Sequence, residues 1–232
     1  MIEIQKLDWD SDFFCLRIGR VIVSSKKESK DLVNQKTKVK EEFDLIYVFA
    51  SQGLDFSAVN AKLVDEKVVY VLSDTSRSEL NKNVMLWGED RGVTEELSHL
   101  ALVSGKYSRF KLDDGLPQGS YERLYSRWIE QSVNQSIASE VFCYMIEDVP
   151  RGLVTLNDKN GFGTIGLVAI HEDFQHRGIG SSMMNHVVRY SIEKQIEKLT
   201  VATQLHNIPA CRLYEKSGFV VESVTDIWHW WL

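Results

Sequence analysis

Apolar and polar positions alternate along several stretches of the first hundred residues, and this pattern predicts β-strands. The predicted strands are Arg17–Ser25, Asp44–Ala50 and Val68–Leu72. A lysine-rich segment, Lys26–Glu42, lies between the first two strands and is predicted to be an exposed helix. The segment Thr75–Arg91 is polar and rich in turn-forming residues, so we expect a connector there.

The second half of the chain has a clearer order of elements. The loop Asp113–Gly119 precedes an amphipathic helix that begins at Ser120. The elements that follow are strands at Ser139–Ile146, Gly152–Leu156 and Phe162–Ile170 with turns at Asp148–Gly152 and Asn157–Gly161, a helix that ends at about Lys194, a strand at Lys198–Thr203, a helix at Asn207–Ser217, and a closing pair of strands at Gly218–Glu222 and Asp226–Trp231. This order predicts an α/β fold in which a mixed sheet carries helices on its faces. We divide the chain into a smaller N-terminal α/β domain, residues 1–108, and a second domain, residues 109–232.

The most informative segment runs from the apolar stretch 165–170 into the glycine-bearing stretch 175–182, where an amphipathic helix begins. A strand, a turn and a helix in this order direct several backbone N–H groups to one point, where the helix N-terminus also concentrates positive potential. A phosphate or pyrophosphate group is the ligand that such a point binds. The segment therefore predicts a phosphate-binding loop.

The side chains of this loop are compatible with the same ligand. Gly178 and Gly180 leave room for an anion at the main chain. Arg177 can add positive charge and Ser181 can add a hydroxyl. Met183 stands where the dinucleotide fingerprint has its third glycine, and the segment lacks the Gly-Lys-Ser/Thr of a P-loop. The alternative is an ordinary glycine-capped loop before a surface helix.

Composition and charge narrow the class of protein. The chain of 232 residues is 44% hydrophobic and 26% charged, which is ordinary for a globular protein with a substantial core. Its formal net charge of -6 argues against a nucleic-acid partner, which usually leaves a basic footprint. The three cysteines lack the paired spacing of metal ligands and suit reduced thiols. Neither a signal peptide nor a membrane span is visible, so we expect a soluble cytoplasmic protein.

Two spaced motifs carry a resemblance to a known family. The first, Gln-x-x-Gly-x-Gly, spans residues 175–180. The second, Asn-x-x-Ala-x-x-x-Tyr, is formed by Asn207, Ala210 and Tyr214. The first motif resembles the pyrophosphate loop for acetyl-coenzyme A (acetyl-CoA) in the GCN5-related N-acetyltransferases (the GNAT family), and the second also matches that family.

This resemblance implies the GNAT fold and acetyl-CoA as the cosubstrate, without a metal. It implies that a splayed central strand, Leu167–Ile170, orders the thioester and pairs with the pantetheine arm. The residues that it implies at the cofactor are Leu167, Val168, Ala169, Ile170, Gln175, His176, Arg177, Gly178, Ile179, Gly180, Ser181, Asn207 and Ala210. His171 and His176 flank the loop without further ligands beside them in the sequence, which also argues against a metal site.

The resemblance further implies that Tyr214 protonates the departing sulfur. Tyrosine has a reference pKa of about 10 and is protonated at neutral pH, and a positioned acid typically contributes about 10²–10⁴-fold to the rate. Cys211 shares a helix face with Tyr214, and small-residue packing explains it better than an acyl-cysteine intermediate. His171 and Glu172 end the central strand and could act as the base for the amine, or be solvated turn residues.

Three further segments, Leu7–Phe14, Glu122–Glu130 and Val201–Asn207, resemble one subgroup, the N-acetyltransferases of dTDP-4-amino-4,6-dideoxygalactose. This subgroup implies a nucleotide-linked amino sugar as acceptor, a role in polysaccharide synthesis, a homodimer, and an N-terminal region that frames the acceptor site. Cys15 departs from the pattern, since a glycine is expected after the phenylalanine pair. Two alternatives stay open: an acetyltransferase of another amine (a peptide N-terminus, polyamine or antibiotic) and a non-catalytic acyl-CoA-binding module.

Overall fold

A computed structural model describes residues 2–76 and 78–232, and within them the strands form one ten-stranded sheet. In chain order the strands are β1 (Gln5–Lys6), β2 (Ile18–Val23), β3 (Leu45–Ala50), β4 (Lys62–Leu72), β5 (Val84–Leu86), β6 (Glu140–Ile146), β7 (Val149–Lys159), β8 (Phe162–Ile170), β9 (Lys198–Gln204) and β10 (Phe219–Trp231). The α-helices are α1 (Asp8–Phe14), α2 (Lys26–Asn34), α3 (Lys36–Glu42), α4 (Glu95–Ser104), α5 (Arg109–Leu112), α6 (Ser120–Val133), α7 (Ile179–Glu193) and α8 (Ile208–Lys216). None of the helices in these residues has both the length and the apolar character needed to span a bilayer.

The sheet is mixed and draws on both halves of the chain. Its strand order is β1-β2-β3-β10-β4-β9-β8-β7-β6-β5. The pairs β2–β3 and β8–β9 are parallel, and β10 pairs antiparallel with both β3 and β4. The predicted fold class, a mixed sheet with helices, is therefore confirmed. Strands from both sides of residue 108 share this sheet, and the division into two domains at that residue stays a prediction.

The hairpins around β7 differ from the sequence prediction. We expected a turn at Asp148–Gly152, but the turn consists of Glu147 and Asp148, whose φ angles are 51° and 60°. The second hairpin turns at Asn160 and Gly161, with φ angles of 55° and 82°. Two-residue turns with positive φ at both positions match the twist of the flanking strands, so β7 runs longer than predicted. Pro150 lies within the strand at a shift of the β6–β7 register, where a proline is tolerated.

Three other elements also differ from their predictions. The predicted closing pair of strands is the single strand β10, in which Glu222 is the extra residue of a β-bulge against β4. A bulge absorbs one residue without ending the strand, so a break in the polar pattern does not end it either. The predicted helix Lys26–Glu42 is two helices, because the chain leaves helical geometry at Gln35. The predicted connector Thr75–Arg91 contains the short strand β5.

Helices cover both faces of the sheet. On one face α1, α4 and α6 bury residues such as Phe14, Leu97 and Leu124. On the other face α7 and α8 bury Met183 and Tyr214, among others. Full burial of one large apolar side chain contributes about 1.5–3 kcal/mol, so these two layers supply the driving force that keeps the helices on the sheet.

The parallel strands β8 and β9 separate partway along their length. Within the described residues they pair at four positions, the last of which joins Ile165 to Val201. β8 then continues along β7, and β9 continues along β4. Where they separate, the buried Thr155 hydroxyl of β7 accepts a hydrogen bond of 2.8 Å from the Leu167 N–H. Beyond this point the inner edge of β8 faces an opening instead of a neighbouring strand.

We predict that Thr155→Val lowers the free energy of unfolding by about 1–3 kcal/mol, because it leaves the buried Leu167 N–H without an acceptor. Thr200→Val is the matched control, since the half-buried Thr200 hydroxyl only donates a bond of 3.2 Å to the Gly163 carbonyl. We expect less than half of the loss in the control. Urea denaturation of both variants measures the difference, and equal losses would contradict the role given to Thr155.

Candidate active site

A cleft of about 1220 Å³ lies where β8 and β9 separate. The end of β8, the loop into α7, the end of β9 and the start of α8 form one side, and residues of α4 and α6 form the other. The predicted site residues that line it are Leu167, Val168, Ala169, Ile170, Gln175, His176, Gly178, Ile179, Gly180, Ser181, Asn207, Ala210 and Tyr214. The fold thus brings together two motifs that are far apart in the sequence.

Arg177 is the predicted site residue that does not line this cleft. Its guanidinium group donates a hydrogen bond of 2.8 Å to the Asp173 carbonyl and lies 5.0 Å from the centre of the Phe174 ring. These contacts hold the side chain against its own loop. A direct role of Arg177 in holding pyrophosphate stays a prediction.

The loop before α7 is shaped for an anion. Gly178 has a φ of 78°, in the left-handed region that glycine adopts without strain, and α7 begins immediately after it. The side chain of Gln175 donates a bond of 3.0 Å to the Ile170 carbonyl, which ties the loop to the end of β8. The first N–H groups of α7 have no partners within the helix, and they begin at the cleft wall. The arrangement therefore offers main-chain donors to a phosphate group.

Asn207 organises the part of the same side that α8 forms. Its side-chain oxygen caps α8 by accepting from the Ala210 N–H at 3.4 Å, and its amide donates to Thr203 Oγ1 at 3.1 Å. This cap fixes the start of α8 at the cleft, and the following turn of the helix carries Tyr214. Burial raises the pKa of Tyr214, whose ring packs edge-on against Tyr70 at 5.7 Å. The phenol therefore stays protonated at neutral pH and can serve as a proton donor.

Cys211 lies one turn before Tyr214 and is buried. Its thiol contacts the carbonyls of Gln204 and Leu205 at 3.6 and 3.8 Å. These contacts agree with the packing role that the sequence favoured over an acyl-cysteine intermediate.

His171 and Glu172 lie at the end of β8 but do not line the cleft. Glu172 accepts a bond of 2.9 Å from His99 of α4, a partner that the sequence analysis missed. Burial acts to raise the pKa of Glu172, but the bond from His99 and the charges of both histidines lower it overall. Ligand atoms of these three residues lie within 4.8 Å of one another, close enough to share a metal ion. The expected absence of a metal stays a prediction, as does a role of His171 or Glu172 as base.

The sequence analysis also missed a buried polar group that does not line the cleft. Asp65 of β4 is 5% exposed, and burial raises its pKa to about 6 against the charge of Arg109. In the sequence Asp65 stands beside Glu66 and Lys67 within β4, and strand alternation alone does not say which of these residues is buried or what faces it.

Comparisons with known proteins agree with this geometry. The sequence profile of the acetyltransferase (GNAT) family matches residues 110–219. The dTDP-fucosamine acetyltransferase of Escherichia coli O6:H1 is 31% identical over 235 residues, covering 97% of this chain and 96% of that protein. The spore coat polysaccharide biosynthesis protein SpsD of Bacillus subtilis is 26% identical over 140 residues, covering 60% of this chain and 48% of that protein. This chain thus spans about half the length of SpsD.

A solved structure shares the fold. The GNAT-family acetyltransferase from Colwellia psychrerythraea superposes with a TM-score of 0.55 at 12% identity, covering 88% of this chain and 72% of that chain. The family profile and the relative that aligns along the whole chain lead to one conclusion. This protein belongs to the GNAT family of acetyltransferases.

Proposed function

We propose that this protein transfers the acetyl group of acetyl-CoA directly to the amine of a nucleotide-linked amino sugar, a dTDP-4-amino-4,6-dideoxyhexose. The observation that carries the proposal is the cleft between β8 and β9, which brings the anion-binding loop and Tyr214 together on one side, opposite residues of α4 and α6. The acceptor class is supported by the dTDP-fucosamine acetyltransferase, which aligns with both halves of this chain.

The residues of the cleft fit acetyl-CoA at two places. The N–H groups at the start of α7, around Gly178 and Gly180, are donors for the pyrophosphate. The inner edge of β8, Leu167–Ile170, has no neighbouring strand and offers main-chain groups to the pantetheine arm and the thioester. Acetyl-CoA supplies the activated acetyl group when it is bound. Donors at the thioester oxygen lower the barrier because negative charge develops there during transfer.

Tyr214 gives its proton to the departing sulfur in this proposal. Its burial keeps the phenol protonated, and the cap made by Asn207 fixes the helix that carries it. Ala210 lines the cleft one turn earlier, where a small side chain leaves room for the pantetheine arm. No cysteine is required as a covalent carrier.

We extend the proposal to a cytoplasmic homodimer that serves polysaccharide synthesis. Cys15, Cys143 and Cys211 are free thiols, which is the state expected in a reducing compartment. The dimer is an expectation from the subgroup resemblance. Light scattering tests it, since a mass of 26.6 kDa in solution would be that of one chain and would contradict it.

We predict that thiol release from acetyl-CoA is faster with dTDP-4-amino-4,6-dideoxyhexoses than with polyamines, peptides or aminoglycosides. A panel of these amines at equal concentration, read by a thiol reagent, gives kcat/KM for each. Selective turnover of another amine would replace the sugar-nucleotide assignment. Binding of acetyl-CoA without turnover of any amine would favour a binding module.

We predict that Tyr214→Phe lowers kcat by about 10²–10⁴-fold, because the sulfur loses its proton donor. The dissociation constant of acetyl-CoA should change little, since the ring is kept. Tyr190→Phe is the matched control: the Tyr190 hydroxyl donates to Glu140 at 2.6 Å and lies outside the cleft. If Tyr214→Phe folds and keeps the wild-type kcat, the assignment of the acid is wrong.

A further inference from the structure

Polar side chains are buried together on the sheet face that α5 covers, where β3, β10 and β4 lie side by side. Within the described residues, four buried polar atoms here have no hydrogen-bond partner: Tyr47 Oη, Asp65 Oδ1, Arg109 Nε and His229 Nε2. Unpaired buried polar atoms are rare in folded proteins, and each calls for an explanation. Four such atoms at one place point to a site where a polar ligand or a bound water completes the hydrogen bonds.

Side-chain stacking holds this group together. The Arg109 guanidinium carbon lies 5.2 Å from the centre of the Tyr47 ring, and the Tyr47 ring stacks on His229 at 4.7 Å. His229 is fully buried and bonds through Nδ1 to Asp113, which also accepts from Trp231 at 3.1 Å. One ring nitrogen of His229 is therefore fixed, and Nε2 faces the group without a partner.

Asp65 is the acid of this group that contacts a residue of the cleft wall. Its partner in β10 is Ile227, and strand alternation directs Ile227 and His229 to the same face, so Asp65 projects toward that face as well. The Gln204 amide, which lines the cleft at the end of β9, interacts with the Asp65 carboxyl. His206 follows in the chain, and its ring meets Tyr107 of the opposite wall at 5.8 Å. The carboxyl thus lies behind the end of β9, next to the Gln204 side chain of the cleft wall.

We propose that Asp65 is the general base of this acetyltransferase and that its carboxylate receives the ammonium group of the acceptor. The proposal rests on the function proposed above and names the group on the acceptor side of the same cleft. Arg109 Nε, Tyr47 Oη and His229 Nε2 then supply polar atoms for the remainder of the acceptor.

The proton movements balance in this arrangement. Asp65 takes one proton from the ammonium nitrogen, which frees the lone pair for attack. The nitrogen–carbon bond forms at the acetyl carbonyl, and the carbon–sulfur bond breaks as Tyr214 gives its proton to the sulfur. The second proton of the nitrogen returns to the Tyr214 oxygen, and Asp65 releases its proton to solvent. The products are the acetamide, the free thiol and one proton.

Cations on several elements surround the Asp65 carboxyl. They are Arg109 of α5 and Lys67 of β4, and the His206 side chain of the loop after β9 also interacts with the carboxyl. Tyr125 of α6 also interacts electrostatically with Asp65, and Asp10 of α1 is a second carboxyl that interacts with Arg109. Burial raises the pKa of Asp65 to about 6, although these neighbours act to lower it. The carboxyl is therefore mostly ionised at pH 7, and its pKa is close to the value that suits a general base at that pH.

The test is the pH dependence of kcat/KM in Asp65→Asn and Asp65→Glu, with the amine that the wild-type enzyme acetylates fastest. The wild-type value should fall about tenfold per pH unit below the Asp65 pKa of about 6, because the protonated carboxyl cannot accept. In Asp65→Asn, kcat/KM at pH 7 should fall by about 10²–10⁴-fold and this acid limb should vanish. The affinity for acetyl-CoA should not change. Asp65→Glu should restore part of the rate together with the acid limb.

Asp226→Asn is the matched control for this substitution. Asp226 is also buried, at 8% exposure, and its Oδ1 also lacks a partner. It pairs with Glu66, the neighbour of Asp65 in β4, so its side chain projects from the opposite face of the sheet. We expect wild-type kcat/KM and a wild-type pH profile in this variant.

A stability readout separates the proposal from a structural role. Because the folded state disfavours the ionised Asp65 carboxyl, Asp65→Asn should melt at the wild-type temperature or above it at pH 7. Wild-type activity in Asp65→Asn with the acid limb intact would overturn the proposal, as would an equal loss in Asp226→Asn. If Asp65→Asn does not fold, Asp65→Ser takes its place, and a wild-type rate with the acid limb intact in that variant would overturn the proposal. A wild-type enzyme that acetylates no amine would instead refute the proposed function.

Discussion

The separation of β8 from β9 is the constraint on which the rest of the structure depends. Parallel neighbours normally satisfy each other's backbone groups, and here they stop doing so after Ile165 and Val201. The two strands can separate because each stays paired with its outer neighbour. In addition, the Thr155 hydroxyl accepts a hydrogen bond from the Leu167 N–H at the point of divergence. What remains unpaired faces one cleft, together with the starts of α7 and α8. A long thioester ligand can therefore replace a strand along the inner edge of β8.

The N-terminal half of the chain contributes strands to the same sheet. β10, the last strand, lies between β3 and β4, so the two halves share hydrogen bonds along the whole length of β10. The polar face beside the cleft takes Tyr47 from β3, Asp65 from β4 and His229 from β10. An acceptor bound there would contact both halves at once. The similarity to the dTDP-fucosamine acetyltransferase likewise extends over both halves, since it covers 97% of this chain.

The buried polar group works against stability. A carboxyl whose pKa is higher in the folded state than in the unfolded state, as for Asp65, contributes stability below the unfolded pKa that is lost as the pH rises through the folded value. The unpaired Arg109 Nε and the unpaired His229 Nε2 add to this cost. Proteins tolerate such conflicts mainly where function requires them, and the conflict here lies next to the cleft and not at random in the core.

The sequence by itself determined the fold class, because helix and strand periodicity and glycine-bearing turns are encoded by neighbouring residues. Its two spaced motifs carried the resemblance to the GNAT family, to which the chain belongs. It misjudged the hairpin turns around β7 and divided β10 in two, since a bulge and two-residue turns depend on the pairing partner and not only on local residue types. Only the tertiary structure decided that Arg177 folds onto its own loop, that His99 meets Glu172, and that Asp65 faces Arg109. Those contacts join residues from different parts of the chain, and the burial that shifts a pKa or leaves a donor unpaired exists only once the elements pack together.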